Sequence, residues 1–414
     1  MEKNYVIVGN SAAAIGCVEG IRQVDQTGSI LIVSDEPYHT YSRPLISYLL
    51  WGKTDRQRMK YRPDSFYDDN KVDTLFGVKA TALHPEEHTM ELDNGETVTY
   101  GKLLLATGSR PFIPPMEGLD QVEKKFTFMT LNDALALEEA ITPDSKVLVV
   151  GAGLIGLKCA EGIFEKVGSL TVVDLANRIL PSILDEEGSK LVQEYIEKKG
   201  VKFYLSDSVA KFENGVAHLN SGAQVEYDVV VIAVGVRPNV ELAQEAGINV
   251  NRGILTDVHC ATSAADVYAA GDCTVSHNIA SGQDQILALL PNAYMQGETA
   301  GIEMAGGEAR YDKAIPMNAM GMLGLHMITA GVYDGEVYKE QNCEGYKKLF
   351  VKDGKLVGFI LIGDVIKRAG IYTSLIREQT PLDEIDFDLI KHSPQLMAFA
   401  KKERKVKLAG AKEE

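Results

Sequence analysis

The chain has 414 residues, 45% apolar and 24% charged. That is an ordinary globular composition, which excludes disorder over the whole length and allows two or three domains at roughly 150 residues each. With 42 basic and 58 acidic side chains the formal net charge is −16, so phosphate backbones and anionic lipid are repelled and nucleic acid is not an expected partner. No apolar run reaches the roughly 20 residues that cross a bilayer, and Met1-Glu2-Lys3-Asn4 lacks the cationic start of a secretory signal. The expectation is a cytoplasmic protein without a membrane association.

In chain order, Tyr5-Val6-Ile7-Val8 reads as a strand, Gly9-Asn10-Ser11-Ala12-Ala13-Ala14 as a tight turn, and the stretch to about Val24 as a helix. A second strand, Ser29 to Val33, ends at Ser34-Asp35-Glu36. The same grammar returns later: the strand Lys146 to Val150, the turn Gly151-Ala152-Gly153-Leu154-Ile155-Gly156, a helix to about Val167, and the strand Leu170 to Val173 ending at Asp174. Each is the start of a βαβ unit with an acid at the tip of its second strand. Two aliphatic runs end in small residues, Leu103-Leu104-Leu105-Ala106-Thr107-Gly108 and Val229 through Gly235. Pro111, Pro114 and Pro115 then mark a crossing between domains, and Arg237-Pro238-Asn239 marks the crossing back.

Beyond about Tyr311 the grammar changes. Tyr346 to Val351 and Leu356 to Leu361 flank Lys352-Asp353-Gly354-Lys355, which reads as a β-hairpin with an Asp-Gly turn. Helical patterns follow from about Ala369 and from about Asp383. Met317, Met320, Met322 and Met327 read mainly as filler of an irregular core. The end is rich in charge, with the basic run Lys401 to Lys407.

Gly151, Gly153 and Gly156 form a GxGxxG pattern in its proper setting, after a strand and opening a helix. The first glycine permits the turn, the second lets the backbone approach a pyrophosphate, and the third lets helix and strand pack closely. The helix N-terminus offers partial positive charge. Asp174, about 20 residues on, suits a ribose diol and repels a 2′-phosphate, which favours NADH over NADPH; Arg178 keeps that choice open. In the first turn Ser11 and Ala14 replace the second and third glycines, both small enough for the same role, with Glu36 or Asp35 for the ribose.

Two dinucleotide folds, the second inserted in the first, with Ala106-Thr107-Gly108 and Asp266-Val267-Tyr268-Ala269-Ala270-Gly271-Asp272, resemble the FAD-dependent pyridine nucleotide oxidoreductases. Tyr41-Ser42-Arg43-Pro44-Leu45-Ile46-Ser47 and Leu290-Pro291-Asn292-Ala293 resemble the branch that holds rubredoxin reductases, ferredoxin reductases and the flavin portion of assimilatory nitrite reductases. The resemblance implies an α/β fold with two Rossmann-like domains and a small C-terminal α+β domain. FAD would be held by residues 1–115 and 240–310, the nicotinamide nucleotide by 116–239, and an interface domain would cover 311–414.

By the same likeness Gly9, Ser11, Ala12, Ala14 and Glu36 hold the ADP half of FAD, Arg43 and Pro44 lie along the pyrophosphate and flavin, and Ala80 sits near the adenine. Ala106, Thr107 and Gly108 form the crossing strand. Asp272, after Gly271, bonds the ribityl chain, and Leu290 opens a helix aimed at the pyrimidine edge. Gly151, Gly153, Ile155, Gly156, Asp174 and Gly235 hold NADH. Two positions depart from the family pattern: Tyr48 stands where relatives often carry a lysine, and Lys158 where many carry a glutamate. Lys158 is therefore either a group in the nicotinamide–flavin gap or a helix residue extending outward.

The five cysteines are Cys17, Cys159, Cys260, Cys273 and Cys343, with no CxxC pair and none between Cys17 and Cys159. The dithiol of glutathione-reductase-like members and the single active-site cysteine of the peroxidase branch are therefore missing near Tyr41 to Trp51. The expected function is electron transfer from NADH through flavin to rubredoxin, ferredoxin or an iron–sulfur subunit, in either direction and with a homodimer as one permitted assembly. An oxidase forming peroxide, and a flavin-bearing structural or redox-sensing subunit, stay open as alternatives. No metal site is expected.

Overall fold

A computed structural model describes residues 1–399; the basic run Lys401 to Lys407 lies outside them. The chain divides into two units. One contains Met1–Leu180, Glu194–Ser276 and Asp284–Asp312; the other contains Pro181–Gln193, His277–Gln283 and the described residues from Lys313 onward.

The first unit holds two sheets of one plan. In the first sheet the strands Val72–Phe76, Ile30–Ser34, Glu2–Val8, Thr97–Leu105 and Val267–Ala269 run parallel. Two antiparallel strands, Thr89–Leu92 and Ala80–His84, extend it from the first half of Thr97–Leu105. The central strands are aliphatic almost without interruption because both faces are covered. Ile7, Ile30, Ile32 and Leu104 point to the face carrying the helix Ala12–Val24. Their neighbours Val6, Val8, Leu31, Val33, Leu103 and Leu105 point to the other, where Met90, Leu92 and Ile254 close the core. A side chain such as Leu104, fully buried, contributes about 2 kcal/mol.

The second sheet repeats the plan with parallel strands Lys202–Leu205, Ser169–Asp174, Lys146–Val150, Val229–Ile232 and Lys125–Phe126. The helix Leu154–Ile163 follows its central strand. The antiparallel strands Val209–Glu213, Val216–Leu219 and Gln224–Glu226 place Phe212, Ala217, Leu219 and Val225 in one core with Leu148, Val150, Val230 and Ile232. A two-stranded antiparallel ribbon, Ser109–Pro111 with Val236–Pro238, joins the two halves.

The helices Ala12–Val24 and Leu290–Met304 pack backbone to backbone. A Cβ on Gly16 would stand 2.3 Å from the Tyr294 carbonyl oxygen, and one on Gly297 1.9 Å from that of Ala13. Gly20 and Gly301, each four residues on, meet Glu298 and Cys17 in the same way. This tight seam fixes where the second helix begins.

The second unit is an antiparallel sheet in the order Met317–Met322, Leu325–Gly331, Lys355–Gly363, Gly345–Lys352, Glu336–Asn342. Phe359 and Leu361 pack with Tyr372, Leu375 and Ile376 of the helix Ala369–Arg377. Met322 and Met327 are buried in the sheet. The segment Pro181–Gln193 is tied to it by Lys348, whose Nζ lies 2.6 Å from Asp185 Oδ2 and 3.2 Å from Glu187 Oε2. No helix among the described residues is long and apolar enough to cross a membrane.

Candidate functional site

The first strand ends at Val8, and Gly9 turns the chain with φ +113°. A Cβ there would sit 2.2 Å from the Ala106 carbonyl oxygen, so only glycine lets the turn press against the neighbouring strand end. The Gly9 amide donates to Val33 O at 2.8 Å and the Ala106 amide to Val8 O at 2.8 Å. Ser11 then caps the helix in extended conformation without spending its side chain on a cap hydrogen bond. The hydroxyl and the first-turn amides around Ala12 and Ala14 are thus available to an anion.

Around this turn lies a pocket lined by Asn10, Ser11, Ser34, Glu36, Tyr38, His39, Tyr41 and Arg43. Glu36 is ion-paired with Arg43 and accepts from the Tyr41 hydroxyl at 2.6 Å. Tyr41 accepts in turn from the Leu131 amide at 3.0 Å, while Arg43 Nη1 donates to Met129 O at 3.3 Å. Burial pushes the Tyr41 hydroxyl pKa up, and the carboxylate of Glu36 reinforces the shift. The Asn10 side chain is clamped between Tyr38 O at 3.0 Å and the Tyr67 hydroxyl at 2.8 Å. His39 Nε2 and Thr40 Oγ1 are buried with no partner. Pro44 follows Arg43 in the single turn Arg43–Leu45. Ala80 opens its strand and packs in the core with Val8 and Val33.

At the far end of the crossing strand, the Thr107 hydroxyl donates to Asn239 O at 2.7 Å, and Asn239 Nδ2 donates back to Thr107 O at 2.8 Å. Gly108 and Gly235 both take positive φ, +64° and +128°, and the Gly235 carbonyl accepts from the Phe112 amide. Asp272 follows Gly271 at the end of the strand Val267–Ala269 and accepts from the Ser109 hydroxyl at 3.3 Å. Burial raises its carboxyl pKa, opposed by Ser109 and by the charge of Arg43. Gln296 holds this loop in place: its Oε1 accepts from the Gly271 amide at 2.7 Å, and its Nε2 reaches the Thr274 and Ser276 hydroxyls at 3.0 and 2.6 Å. Leu290 begins the helix that carries Gln296, again without a side-chain cap.

The second turn repeats the first. Gly151 has φ +117°, and a Cβ there would lie 2.2 Å from the Ala233 carbonyl oxygen. A Cβ on Gly156 would lie 2.0 Å from Gly151 O, whereas one on Gly153 would meet nothing within 4 Å. That open space leaves the Gly153 backbone accessible to a ligand. Ile155 stands in the first turn of the helix. Asp174 Oδ2 accepts from the Ala152 amide at 2.5 Å and Oδ1 from the Ala176 amide at 2.7 Å, so its carboxylate is fixed at the mouth of the turn. Arg178 Nη1 bonds Asn177 Oδ1 at 3.3 Å, while its Nε is buried without a partner.

Lys158 does not extend freely outward. Its Nζ lies 4.3 Å from the centre of the Tyr48 ring, and it forms an ion pair with Glu161, a side chain only 2% exposed. Cys17, Cys159, Cys260 and Cys273 are buried and Cys343 is exposed. Burial pushes the thiols of the first three well up, so they are inert core groups.

Sequence reading missed Gln296, Asn10, Tyr67 and the Tyr41 hydroxyl. Tyr41 opens the Tyr41 to Ser47 motif, but its partner Leu131 is 90 positions away. A glutamine in a helix carries no local signal of an amide lying across from it.

A family model described as pyridine nucleotide-disulphide oxidoreductase matches residues 3–297, and one described as rubredoxin NAD+ reductase C-terminal domain matches residues 316–380. The NADH-dependent phenylglyoxylate dehydrogenase subunit epsilon of Aromatoleum evansii is 32% identical over 391 residues, covering 91% of this chain and 92% of that protein. The rubredoxin-NAD(+) reductase of Alcanivorax borkumensis is 30% identical over 372 residues, covering 87% and 95%. Of two further curated relatives, the chain spans 50% and 48% of the length. A ferredoxin reductase structure from Rhodopseudomonas palustris shares the fold, with a TM-score of 0.84 at 23% identity over 99% of this chain and 100% of that one. With both cradles inside the matched span, the chain belongs to the pyridine nucleotide-disulphide oxidoreductase family.

Proposed function

We propose that this chain takes electrons from NADH and passes them by way of FAD to a one-electron iron–sulfur carrier: rubredoxin, a ferredoxin or an iron–sulfur subunit. The observation that carries the reading is the pair of like-built cradles, Gly9 against Ala106 and Gly151 against Ala233, in a chain with no cysteine between Cys17 and Cys159. The names of the relatives support a nicotinamide donor and an iron–sulfur acceptor.

The residues of the first cradle fit a dinucleotide. Gly9 leaves room that a Cβ would fill, Ser11 keeps its hydroxyl from capping, and His39 and Thr40 hold buried polar atoms without partners. Gly9, Ser11, Ala12 and Ala14 would hold the pyrophosphate, Glu36 the ribose, Arg43 and Pro44 the flavin side, and Ala80 the adenine side. Ala106, Thr107 and Gly108 would form the crossing strand, and Asp272, after Gly271, would bond the ribityl chain. When bound, the flavin supplies a ring that accepts a hydride and releases its electrons singly. The helix beginning at Leu290 would place its positive end at the ring's pyrimidine edge, which favours negative charge there.

Gly151, Gly153, Ile155 and Gly156 would hold the nicotinamide nucleotide, with Gly235 at the crossing back. The fixed Asp174 carboxylate accepts ribose hydroxyls and repels a 2′-phosphate, so NADH is preferred to NADPH. On this reading residues 1–115 and 240–310 serve FAD, 116–239 serve NADH, and 311–414 form an interface domain.

Anaerobic mixing of the FAD-loaded protein with NADH should bleach the flavin absorbance rapidly, and oxidised rubredoxin or ferredoxin should restore it faster than dioxygen does. Faster recovery with dioxygen would favour an oxidase. Failure of NADH to bleach the flavin would leave a structural or sensing role.

A further inference from the structure

The ribbon Ser109–Pro111 with Val236–Pro238 runs beneath an open surface groove. Its lining includes Arg110, Arg237 and Arg252 against one acid, Glu241, with Phe112 and Ile113 among them. Glu241 is already engaged by Arg110, whose Nη1 and Nη2 lie 3.0 and 2.5 Å from its two oxygens. Arg237 is exposed and lies with Cζ 4.4 Å from the centre of the Phe112 ring; Arg252 is exposed as well. Ile113 is 52% exposed. A chain of net charge −16 thus gathers a local excess of arginine around an uncovered apolar centre. Arginine and aromatic side chains around an apolar middle are the composition of a protein-binding face.

The groove also lies next to the loop proposed to hold the flavin chain. Ser109, which donates to Asp272, immediately precedes Arg110. Thr107 and Asn239, bonded to each other, brace the two strand ends from which the ribbon departs. Arg110 in the groove lining is thus one residue from the hydrogen bond that Ser109 donates to Asp272.

We propose that this groove is the docking face for an acidic iron–sulfur carrier, with Arg237 and Arg252 steering its carboxylates and Phe112 and Ile113 forming the apolar contact. The proposal rests on the electron-transfer reading and adds to it the surface the carrier uses. Opposite charge raises the encounter rate, and salt screens it.

The test compares FAD-loaded parent protein with Arg252→Glu and Arg237→Gln, using a purified acidic rubredoxin as the probe. At low ionic strength, titration calorimetry should show binding weakened about 10-fold in Arg252→Glu and less in Arg237→Gln, with the proteins converging as salt is raised. The rate of rubredoxin reduction should fall with the affinity, while reoxidation by uncharged dioxygen stays the same. Equal rubredoxin binding by parent and variants overturns the proposal, and so does an equal loss with dioxygen. Dissociation of a dimer by either substitution also overturns it, by assigning the groove to a second copy. If parent protein binds rubredoxin through these arginines but never reduces it, the electron-transfer reading fails and the docking face stands. Reduction by variants whose binding is unchanged does the reverse.

Discussion

Lys158 bridges the helix of the second cradle to the segment after Arg43: its Nζ sits 4.3 Å from the centre of the Tyr48 ring and pairs with the buried Glu161. A cation over an aromatic face is worth about 0.5–2 kcal/mol, more when partly desolvated. Removing the cation from a buried carboxylate costs more than the contact itself. Lys158→Met should therefore lower stability by about 2–3 kcal/mol, and Lys158→Met with Glu161→Gln should recover much of the loss. Thermal melts of the single and double variants check this. A double variant no better than Lys158→Met would show that the loss comes from the Tyr48 contact and not from the unpaired Glu161 carboxylate.

Gly151 and Gly153 separate folding from binding. A Cβ at Gly151 strikes the Ala233 carbonyl at positive φ, whereas Gly153 has open space and φ −79°. Gly151→Ala should lose about 3 kcal/mol or more of stability. Gly153→Ala should melt like the parent yet raise KM for NADH about 10-fold or more, because the added methyl group fills the approach to the pyrophosphate. Melting and steady-state kinetics on the two variants decide it.

Asp174 is held by the amides of Ala152 and Ala176, so its charge is fixed in place. Asp174→Ala should shift the preference for NADH over NADPH downward by about 10- to 100-fold, the worth of one charge-assisted hydrogen bond and one repulsion. The ratio of kcat/KM for the two nucleotides measures this directly.

Asp272 gives a pH dependence whose sign is fixed. Burial raises its carboxyl pKa in the fold, while in the unfolded chain it ionises near the ordinary value of about 4. The unfolded state therefore releases this proton first. Stability declines as pH rises from that value through the folded one, then levels off. In cofactor-free protein, Asp272→Asn should be more stable than the parent near neutrality and show a flatter profile in that window, while its affinity for FAD falls. Calorimetry across the acid-to-neutral range checks the first part, and flavin titration the second.

What could be read from the sequence was what local backbone demands impose. The turns at Gly9 and Gly151 are legible because a strand followed at once by a helix needs a residue without a Cβ there. The hairpin is legible because Asp353-Gly354 suits a two-residue turn with both φ positive, observed as +51° and +70°. The side-chain pattern extends the helix after Gly156 to about Val167, but it ends at Ile163 and continues as the tighter turn Phe164–Lys166, a boundary that such patterns mark poorly. The helix read from about Asp383 is one tight turn, Leu382–Glu384, and then the short helix Phe387–His392.

Long-range pairings were not legible. Nothing near Lys158 announces Tyr48, nothing near Gln296 announces Gly271, and nothing near Asp185 announces Lys348. Each pair meets only because separate elements pack together. The sequence alone offers two acids at the tip of the second strand, Asp35 and Glu36. Glu36 is the one that meets Arg43 and Tyr41, while Asp35 is exposed.

In the proposed chemistry, reducing equivalents leave the flavin without a thiol relay. Anaerobic titration of the FAD-loaded protein with NADH tests it most directly. Full bleaching is expected after about one NADH per flavin, with no thiolate-to-flavin charge-transfer band. An endpoint near two NADH per flavin, with that band appearing midway, would contradict it.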